Sequence, residues 1–204
     1  MGGITNAGSM SLSNSSINHI RYHNTPTGKL NLTTGEIKLT QAFVNEGVLK
    51  AQTLIMNVGK LQNYNVFQVD SELTASSQGT LRNYQQAKMS VKVGALRVAQ
   101  FINRGKIQFG SVEIHATKRI IFREHDSVTV EHKLLLDAPT IYLSEGAIKL
   151  EKEASLELGA SCKKIHLPKV YKKEASPSWV KLIAKIAHAR QILIVYNIVR
   201  KPIC

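Results

Sequence analysis

Cysteine and aromatic residues are scarce in this chain of 204 residues. The two cysteines, Cys162 and Cys204, are too few to form a framework of disulfides. They could pair with each other, but free thiols are the favoured interpretation. Aromatic residues make up 6% of the sequence, whereas Ser, Thr, Asn, Gln and Val are plentiful. This composition suits an architecture that is built from many short strands.

The sequence also lacks the motifs of common enzyme classes. It has no phosphate-cradling glycine loop, no nucleophile elbow and no Cys/His spacing typical of zinc sites. Its aspartates are Asp70, Asp126 and Asp137, which offer little of the clustered carboxylate that an enzyme acting on polysaccharide would use. His115 alternates with inward apolar neighbours and is predicted to point outward from a strand. We therefore predict a protein with no catalytic residue, no metal and no cofactor.

One polar cluster could be taken for a site. Residues 123–126 read Arg-Glu-His-Asp and are followed by Glu131 and His132, which together have the side chains of a metal or acid–base centre. However, alternation with Val128 and Val130 turns Glu131 outward and separates the members of the cluster. A solvated corner is the better interpretation.

A repeat of about twenty residues fills most of the chain. Its marker is an apolar residue, any residue and then Asn, and the copies end at Asn6, Asn24, Asn45, Asn63, Asn83 and Asn103. The apolar member of the marker is predicted to recur at Ile121 and Ile141, where the Asn is missing. A fixed period in this range is typical of a solenoid whose successive turns stack.

Within each repeat the hydrophobic residues alternate with period two, which indicates strands with one buried face. The marker residues predicted to form an inner stack are Phe43, Leu61, Leu81 and Phe101. Each repeat also supplies two alternating inward pairs, which in one repeat are Ala87/Met89 and Val91/Val93. We predict an all-β fold, a right-handed parallel β-helix of about eight turns over residues 1–160, roughly 35–40 Å long at about 4.8 Å per turn.

The recurring Asn has two physical explanations. Asn tolerates the left-handed backbone of a corner, and its amide can hydrogen-bond to the same amide in the next turn as a ladder. Gly8, Gly47 and Gly105 follow two residues after an Asn and complete an Asn-x-Gly corner. Antiparallel hairpins also place Asn and Gly in turns, but they do not demand the same residue every twenty positions.

These repeats resemble those of filamentous haemagglutinin-type exoproteins, which Gram-negative bacteria export by two-partner secretion. The resemblance covers about residues 4–160 and is carried by Ile4-Thr5-Asn6-Ala7-Gly8, by Phe43-Val44-Asn45-Glu46-Gly47 and by Phe101-Ile102-Asn103-Arg104-Gly105. It implies a long parallel β-helix, a secreted or cell-surface location and an adhesive role. The chain differs from such proteins in its small size and in its many Lys and Arg residues.

The first residues, Met-Gly-Gly-Ile-Thr-Asn, show neither the basic segment nor the apolar run of a secretory leader. They already belong to a repeat, and no cap covers the strand edge of that first turn. We therefore expect the chain to be a fragment of a longer rod that begins further upstream.

Positive charge is concentrated after the repeats. From residue 161 onward, ten Lys or Arg stand against one Glu, a net charge of +9, whereas residues 43–160 contain 14 against 12. Residues 161–176 are predicted to be a basic linker. Residues 177–204 are predicted to hold a short amphipathic basic helix or cap, which begins near Pro177.

Three roles fit this C-terminal segment. It is a cap over the last turn, a peripheral membrane anchor, or a phosphate-binding tail or the start of another domain. As an anchor it would contact an anionic membrane surface through Trp179, Lys181 and Lys185. Lys181, Lys185 and Arg190 also interrupt the apolar run that a membrane span would need.

The favoured function is that of a non-enzymatic structural and adhesive segment, which binds a protein or glycan on a host or neighbouring cell. The first alternative is a cytoplasmic polymer-forming β-solenoid similar to the bactofilins, whose bare ends would associate end to end. The second is a β-helical enzyme that degrades polysaccharide. Nucleic acid is not expected as a partner.

Overall fold

The chain folds as a parallel β-solenoid of about eight turns, which confirms the predicted fold class. The computed structural model describes residues 2–123, 127–144 and 147–166, together with the backbone of residues 182–184 and 194–195. Within those ranges every regular element is a strand, and all sixteen strands belong to one sheet that coils around a single core.

The strands fall into an early, a middle and a late group. The early group is β1 (Ile4–Asn6), β2 (Ser9–Leu12), β3 (Ser15–His19) and β4 (Tyr22–Asn24). The middle group is β5 (Lys29–Asn45), β6 (Val48–Asn63), β7 (Val66–Asn83), β8 (Lys88–Asn103) and β9 (Lys106–Phe122). The late group is β10 (Ser127–Asp137), β11 (Thr140–Leu143), β12 (Ile148–Leu150), β13 (Ser155–Leu158), β14 (Lys164–His166), β15 (Leu182–Ala184) and β16 (Ile194–Val195).

Each strand of the middle group is one complete turn of 16 to 18 residues. Small shifts of register divide it, so that β8, which shifts twice against β7, consists of a first face (residues 88–91), a second face (residues 93–98) and a third face (residues 100–103). Between these five strands the chain leaves the strand conformation only at the corner after the Asn. The sequence predicted two or three short strands per turn, and the structure joins them into one bent strand.

The core is a column of side chains from stacked turns. In register along the third face lie Tyr22, Phe43, Leu61, Leu81, Phe101, Ile120 and Ile141, all of them buried. The Tyr22 and Phe43 rings stack with their centroids 5.3 Å apart. Because every turn presents its apolar side to the same axis, the turns bury one another and no turn has a core of its own.

Two details of the predicted register are wrong. The corner after Asn83 holds four residues, whereas the corner after Asn63 holds two, so the inward pairs of that turn are Met89/Val91 and Gly94/Leu96. Val93, which was predicted to point inward, is 47% exposed. Alternation alone could not reveal the longer corner, since Ala87 and Val93 are also apolar.

The second error concerns the turn that follows Phe101. The structure pairs Phe101 with Ile120, which is fully buried, and leaves the predicted anchor Ile121 on the outward side of the strand. That turn is 19 residues long from anchor to anchor, one fewer than the sequence spacing implied. Two adjacent isoleucines satisfy the pattern equally well, so only the three-dimensional register distinguishes them.

The C-terminal helix that was predicted for residues 177–204 falls largely outside the described residues. The backbone of residues 182–184 forms β15, which pairs in parallel with β13 and in antiparallel with β16. In those three residues the structure has a strand where the sequence predicted a helix, because their backbone continues the ladder of the last turn.

Candidate functional site

The six marker asparagines form one continuous ladder of side-chain hydrogen bonds. Each amide Nδ2 donates to Oδ1 of the Asn in the next turn, at 2.8 to 2.9 Å, in the order Asn6, Asn24, Asn45, Asn63, Asn83 and Asn103. The same Nδ2 atoms also donate to a backbone carbonyl, as Asn45 does to Val66 at 2.7 Å. The ladder ends where Phe122 takes the place of a seventh Asn.

Burial sets these amides apart from other polar side chains. The buried polar residues of the described part are the six ladder asparagines and Ser77. A buried amide without partners would cost roughly 1–3 kcal/mol, so each Asn depends on its neighbours above and below. The ladder therefore makes the stacking of turns specific as well as stable.

The backbone explanation for the Asn was wrong. Among the described residues, positive φ occurs at Asn14, Gln86 and Glu153 and at none of the ladder asparagines. The corner glycine is required by close approach instead. A Cβ at Gly105 would collide with the Tyr84 carbonyl oxygen and would lie 2.8 Å from Asn83 Nδ2.

Tyr22 lies beside this ladder, and its titration in alkaline solution tests the burial of its side chain. Burial raises its pKa to about 12, against a smaller lowering by its contact with Asn6. Between pH 10 and 12 the unfolded chain therefore loses the Tyr22 proton while the folded chain keeps it. The resulting stability is present below pH 10 and is lost as the pH rises to about 12.

We expect the free energy of unfolding to fall across this pH range. The contribution of Tyr22 to this decrease is about 2 kcal/mol. Replacing Tyr22 by Phe keeps the buried ring and removes the titrating hydroxyl. Urea unfolding measured at intervals from pH 9 to pH 12 should then show a shallower loss for Tyr22→Phe. Parallel curves for the two proteins would contradict the assignment.

The outer surface carries a column of residues at the Asn corner, one per turn. This corner column consists of Glu46, Tyr64, Tyr84 and Arg104, because the backbone N–H of each donates to the carbonyl of an Asn in the turn before it, at 2.8 to 2.9 Å. The Tyr64 and Tyr84 rings stack with centroids 3.9 Å apart and planes 13° from parallel.

Polar side chains surround the stacked tyrosines. Gln62 Nε2 donates to the Tyr84 hydroxyl at 2.9 Å, and the Arg82 guanidinium lies 5.3 Å from the Tyr84 ring centroid. Burial and the hydrogen bond with Tyr84 raise the pKa of Tyr64 to about 12. The corner thus offers hydroxyl, amide and guanidinium groups on a rigid support.

A groove of about 610 Å³ lies on another side of the rod, between the second and third faces. Arg97, His115 and Asp137 line it from three consecutive turns in one register column. His115 Nδ1 lies 3.2 Å from Asp137 Oδ2, and Asp137 is held by the Ser161 backbone N–H at 2.8 Å. The spacing of the repeats places these residues together, which the alternation around His115 does not reveal by itself.

This histidine–aspartate pair has part of the chemistry of a general base. The other ring nitrogen, Nε2, lies 3.6 Å from a Glu113 carboxylate oxygen and faces no nucleophile among the described residues. The Ser161 hydroxyl bonds to Asp137, at 3.3 Å, and not to the imidazole. The arrangement therefore lacks the order of a Ser–His–Asp triad.

The polar cluster near residue 126 is described only in part, since residues 124–126 fall outside the described ranges. Glu131 accepts a hydrogen bond from Gln108 Nε2 at 2.6 Å. No group of three or more His, Cys, Asp or Glu side chains suited to a metal is found in the described part of the chain. Burial raises the pKa of the Cys162 thiol, which disfavours the reactive thiolate.

The predicted membrane contacts Trp179, Lys181 and Lys185 all lie outside the described residues, so that role stays a prediction. Among the residues that the structure describes, no helix has the length and apolar character to cross a membrane.

Comparison with known proteins adds no family to these observations. Neither a protein-family model, nor a curated protein, nor a solved structure matches the chain.

Proposed function

We propose that the protein is a non-enzymatic structural and adhesive segment of a haemagglutinin-like bacterial protein, secreted or held at the surface of a Gram-negative cell. In this role the rod presents its sides to a protein or glycan on a host or neighbouring cell. The observation that carries the proposal is that the inward positions of the strands are filled by apolar side chains and by the Asn ladder. Only the columns of outward side chains are then available to bind a ligand.

The corner column supports an adhesive surface. Stacking of Tyr64 on Tyr84 fixes both rings, and the bond from Gln62 fixes the Tyr84 hydroxyl. Little side-chain entropy is then lost when a ligand binds, which favours useful affinity from a small contact area. Aromatic and arginine side chains are also the groups most often found at the centre of binding surfaces.

We expect the full-length protein to bind saturably to intact cells, as flow cytometry of labelled protein would measure. Tyr64→Ala together with Tyr84→Ala should reduce this binding, whereas His115→Ala should leave it unchanged because the groove lies on another side. Competition by unlabelled protein is the control for specificity. Binding that is absent, or that does not saturate on any cell type, would reject the adhesive role.

A cytoplasmic polymer-forming solenoid is the second candidate. It is favoured by β1, which pairs with β4 and with no other strand among the described residues. The edge of such a strand can pair with the end of another rod. Analytical ultracentrifugation would distinguish the candidates, since end-to-end association produces a series of species that grows with concentration.

A polysaccharide-degrading enzyme is supported only by the His115–Asp137 pair. It predicts release of reducing ends from a polysaccharide and loss of that activity in His115→Ala.

A further inference from the structure

Within the rod itself, positive charge is concentrated in two turns near the middle. Residues 80–123 contain nine Lys or Arg against one Glu, a net charge of +8, whereas residues 43–79 contain two against three. The near balance of residues 43–160 as a whole conceals this contrast. Six exposed members form what we call the basic band: Lys88, Lys92, Arg97, Arg104, Lys106 and Lys118.

The six members of the band have no carboxylate partner among the described residues. Elsewhere on the rod lysines do have carboxylate partners, as Lys133 has Glu157 at 3.0 Å and Lys149 has Glu151 at 2.9 Å. The charge of the band is therefore free to act on a ligand.

The band also carries an electrostatic cost. Lys88 and Lys106 are direct partners in adjacent parallel strands, which lie about 4.8 Å apart. Like charges that face each other across two strands destabilise a sheet. A bound polyanion would remove this repulsion, so the arrangement favours complex formation over the free rod.

The positions of the six residues restrict the shape of the ligand. Lys88 and Lys106 begin the first face of two turns, Arg97 lies on the second face, and Arg104 lies at the Asn corner. Lys92 and Lys118 lie beyond the ends of the first and second faces. The band thus runs around the rod, and a stiff duplex could touch only one side of it. A flexible linear polyanion can follow it.

The aromatic groups beside the band argue against single-stranded nucleic acid. Such chains bind by stacking their bases on free aromatic faces. Here Tyr84 is covered by Tyr64 at 3.9 Å and by Arg82, while Tyr64 lies between Tyr84 and the turn of the acidic Glu46. The hydroxyl and amide groups that remain are suited to the hydroxyls of sugar rings.

We propose that the basic band, with the adjoining Tyr84 hydroxyl, binds an acidic polysaccharide through its carboxylate or sulfate groups. This inference rests on the proposed adhesive function only in taking a surface glycan as the ligand. The band supplies cations on consecutive turns, and the corner column supplies hydrogen-bonding groups to the sugar.

The test compares two triple variants of the full-length protein that each remove three positive charges. The band variant is Lys88→Gln, Arg104→Gln and Lys106→Gln. The control variant is Lys29→Gln, Lys50→Gln and Lys60→Gln, which removes exposed lysines that have no ion-pair partner in the described part of the chain. The basic C-terminal segment is the same in both, so it cancels in the comparison.

Binding is measured by calorimetry to heparin, polygalacturonate, neutral dextran and single-stranded poly(dT) over a range of salt concentrations. For heparin we expect the band variant to bind at least about tenfold more weakly, with a salt dependence reduced by about one unit of slope per charge. The control variant should keep the wild-type slope. Polygalacturonate shows whether carboxylate alone suffices, and dextran should not bind.

Equal losses of heparin affinity in the two variants would overturn the inference, because binding would then depend on the net charge of the protein and not on the position of the band. Poly(dT) binding as tight as heparin binding, and lost in the same variant, would overturn it in favour of nucleic acid. The two proposals fail separately. Band-dependent heparin binding without binding to cells rejects the adhesive function alone, while saturable cell binding with an unchanged band variant rejects this inference alone.

Discussion

Replacing Phe101 by Ala is expected to lower the free energy of unfolding by about 3–5 kcal/mol, as large-to-small changes of buried phenylalanine do. The ring is fully buried, and it is in register with Leu81 in the turn before and with Ile120 in the turn after. It also contacts the Phe122 ring, with centroids 5.6 Å apart. Removing it opens a cavity that three successive turns share, and continuous strands on both sides limit their collapse into it.

Chemical denaturation of three variants would measure this effect. Phe101→Leu keeps most of the volume and should cost less than about 2 kcal/mol, and Arg104→Ala, at an exposed corner, should change stability by at most about 0.5 kcal/mol. This order would show that the stacked core supplies the stability of the rod. Small and equal effects of Phe101→Ala and Arg104→Ala would contradict a shared core.

The repeat made the architecture predictable from the sequence. An apolar marker every twenty residues, with period-two alternation between markers, is satisfied by stacked parallel turns and by few other folds. Phe43 lies in the inner column for this reason, since it is fully buried while its neighbours Ala42 and Val44 are partly exposed. The core depends on a local pattern that the sequence repeats many times, so single deviations do not obscure it.

The corners were less predictable, because a turn on the outside of a solenoid tolerates extra residues without disturbing the core. The corner after Asn24 spans residues 25–28 and the corner after Asn83 spans residues 84–87, while the corners after the other four ladder asparagines hold two residues. Each insertion moves the inward positions two residues along the sequence relative to a fixed spacing. Val93 lies at the bend between the first and second faces, where Lys92 and Val93 are both exposed and the alternation is interrupted.

The outer surface was the least predictable part. His115 and Asp137 are 22 residues apart, and only the register of β9 against β10 brings them to 3.2 Å. Tyr64 and Tyr84 are 20 residues apart and stack for the same reason. An alignment of the repeats, one turn per line, would place the members of each pair in the same column. Such an alignment requires the number of residues in each corner, which cannot be determined from the sequence pattern.

Replacing Asn83 by Ala is expected to destabilise the protein by about 2–4 kcal/mol, and clearly more than Asn6→Ala. Asn83 accepts from Asn63 and donates to Asn103, both at 2.8 Å, and is fully buried. Its removal takes a partner from both neighbours inside the rod. Asn6 donates to Asn24 at 2.9 Å and has no asparagine before it in the ladder, so its loss affects one amide.

Urea denaturation of both variants gives the comparison, and Asn83→Asp provides a matched control for shape. The aspartate keeps the acceptor from Asn63 but cannot donate to Asn103, and it adds a charge to a buried site. We expect it to be at least as destabilising as Asn83→Ala at neutral pH and to recover stability as the pH falls and the carboxyl becomes protonated. If Asn6→Ala cost as much as Asn83→Ala, the loss would reflect only the bonds that each Asn makes within its own corner, and a cooperative ladder through the stacked turns would be rejected.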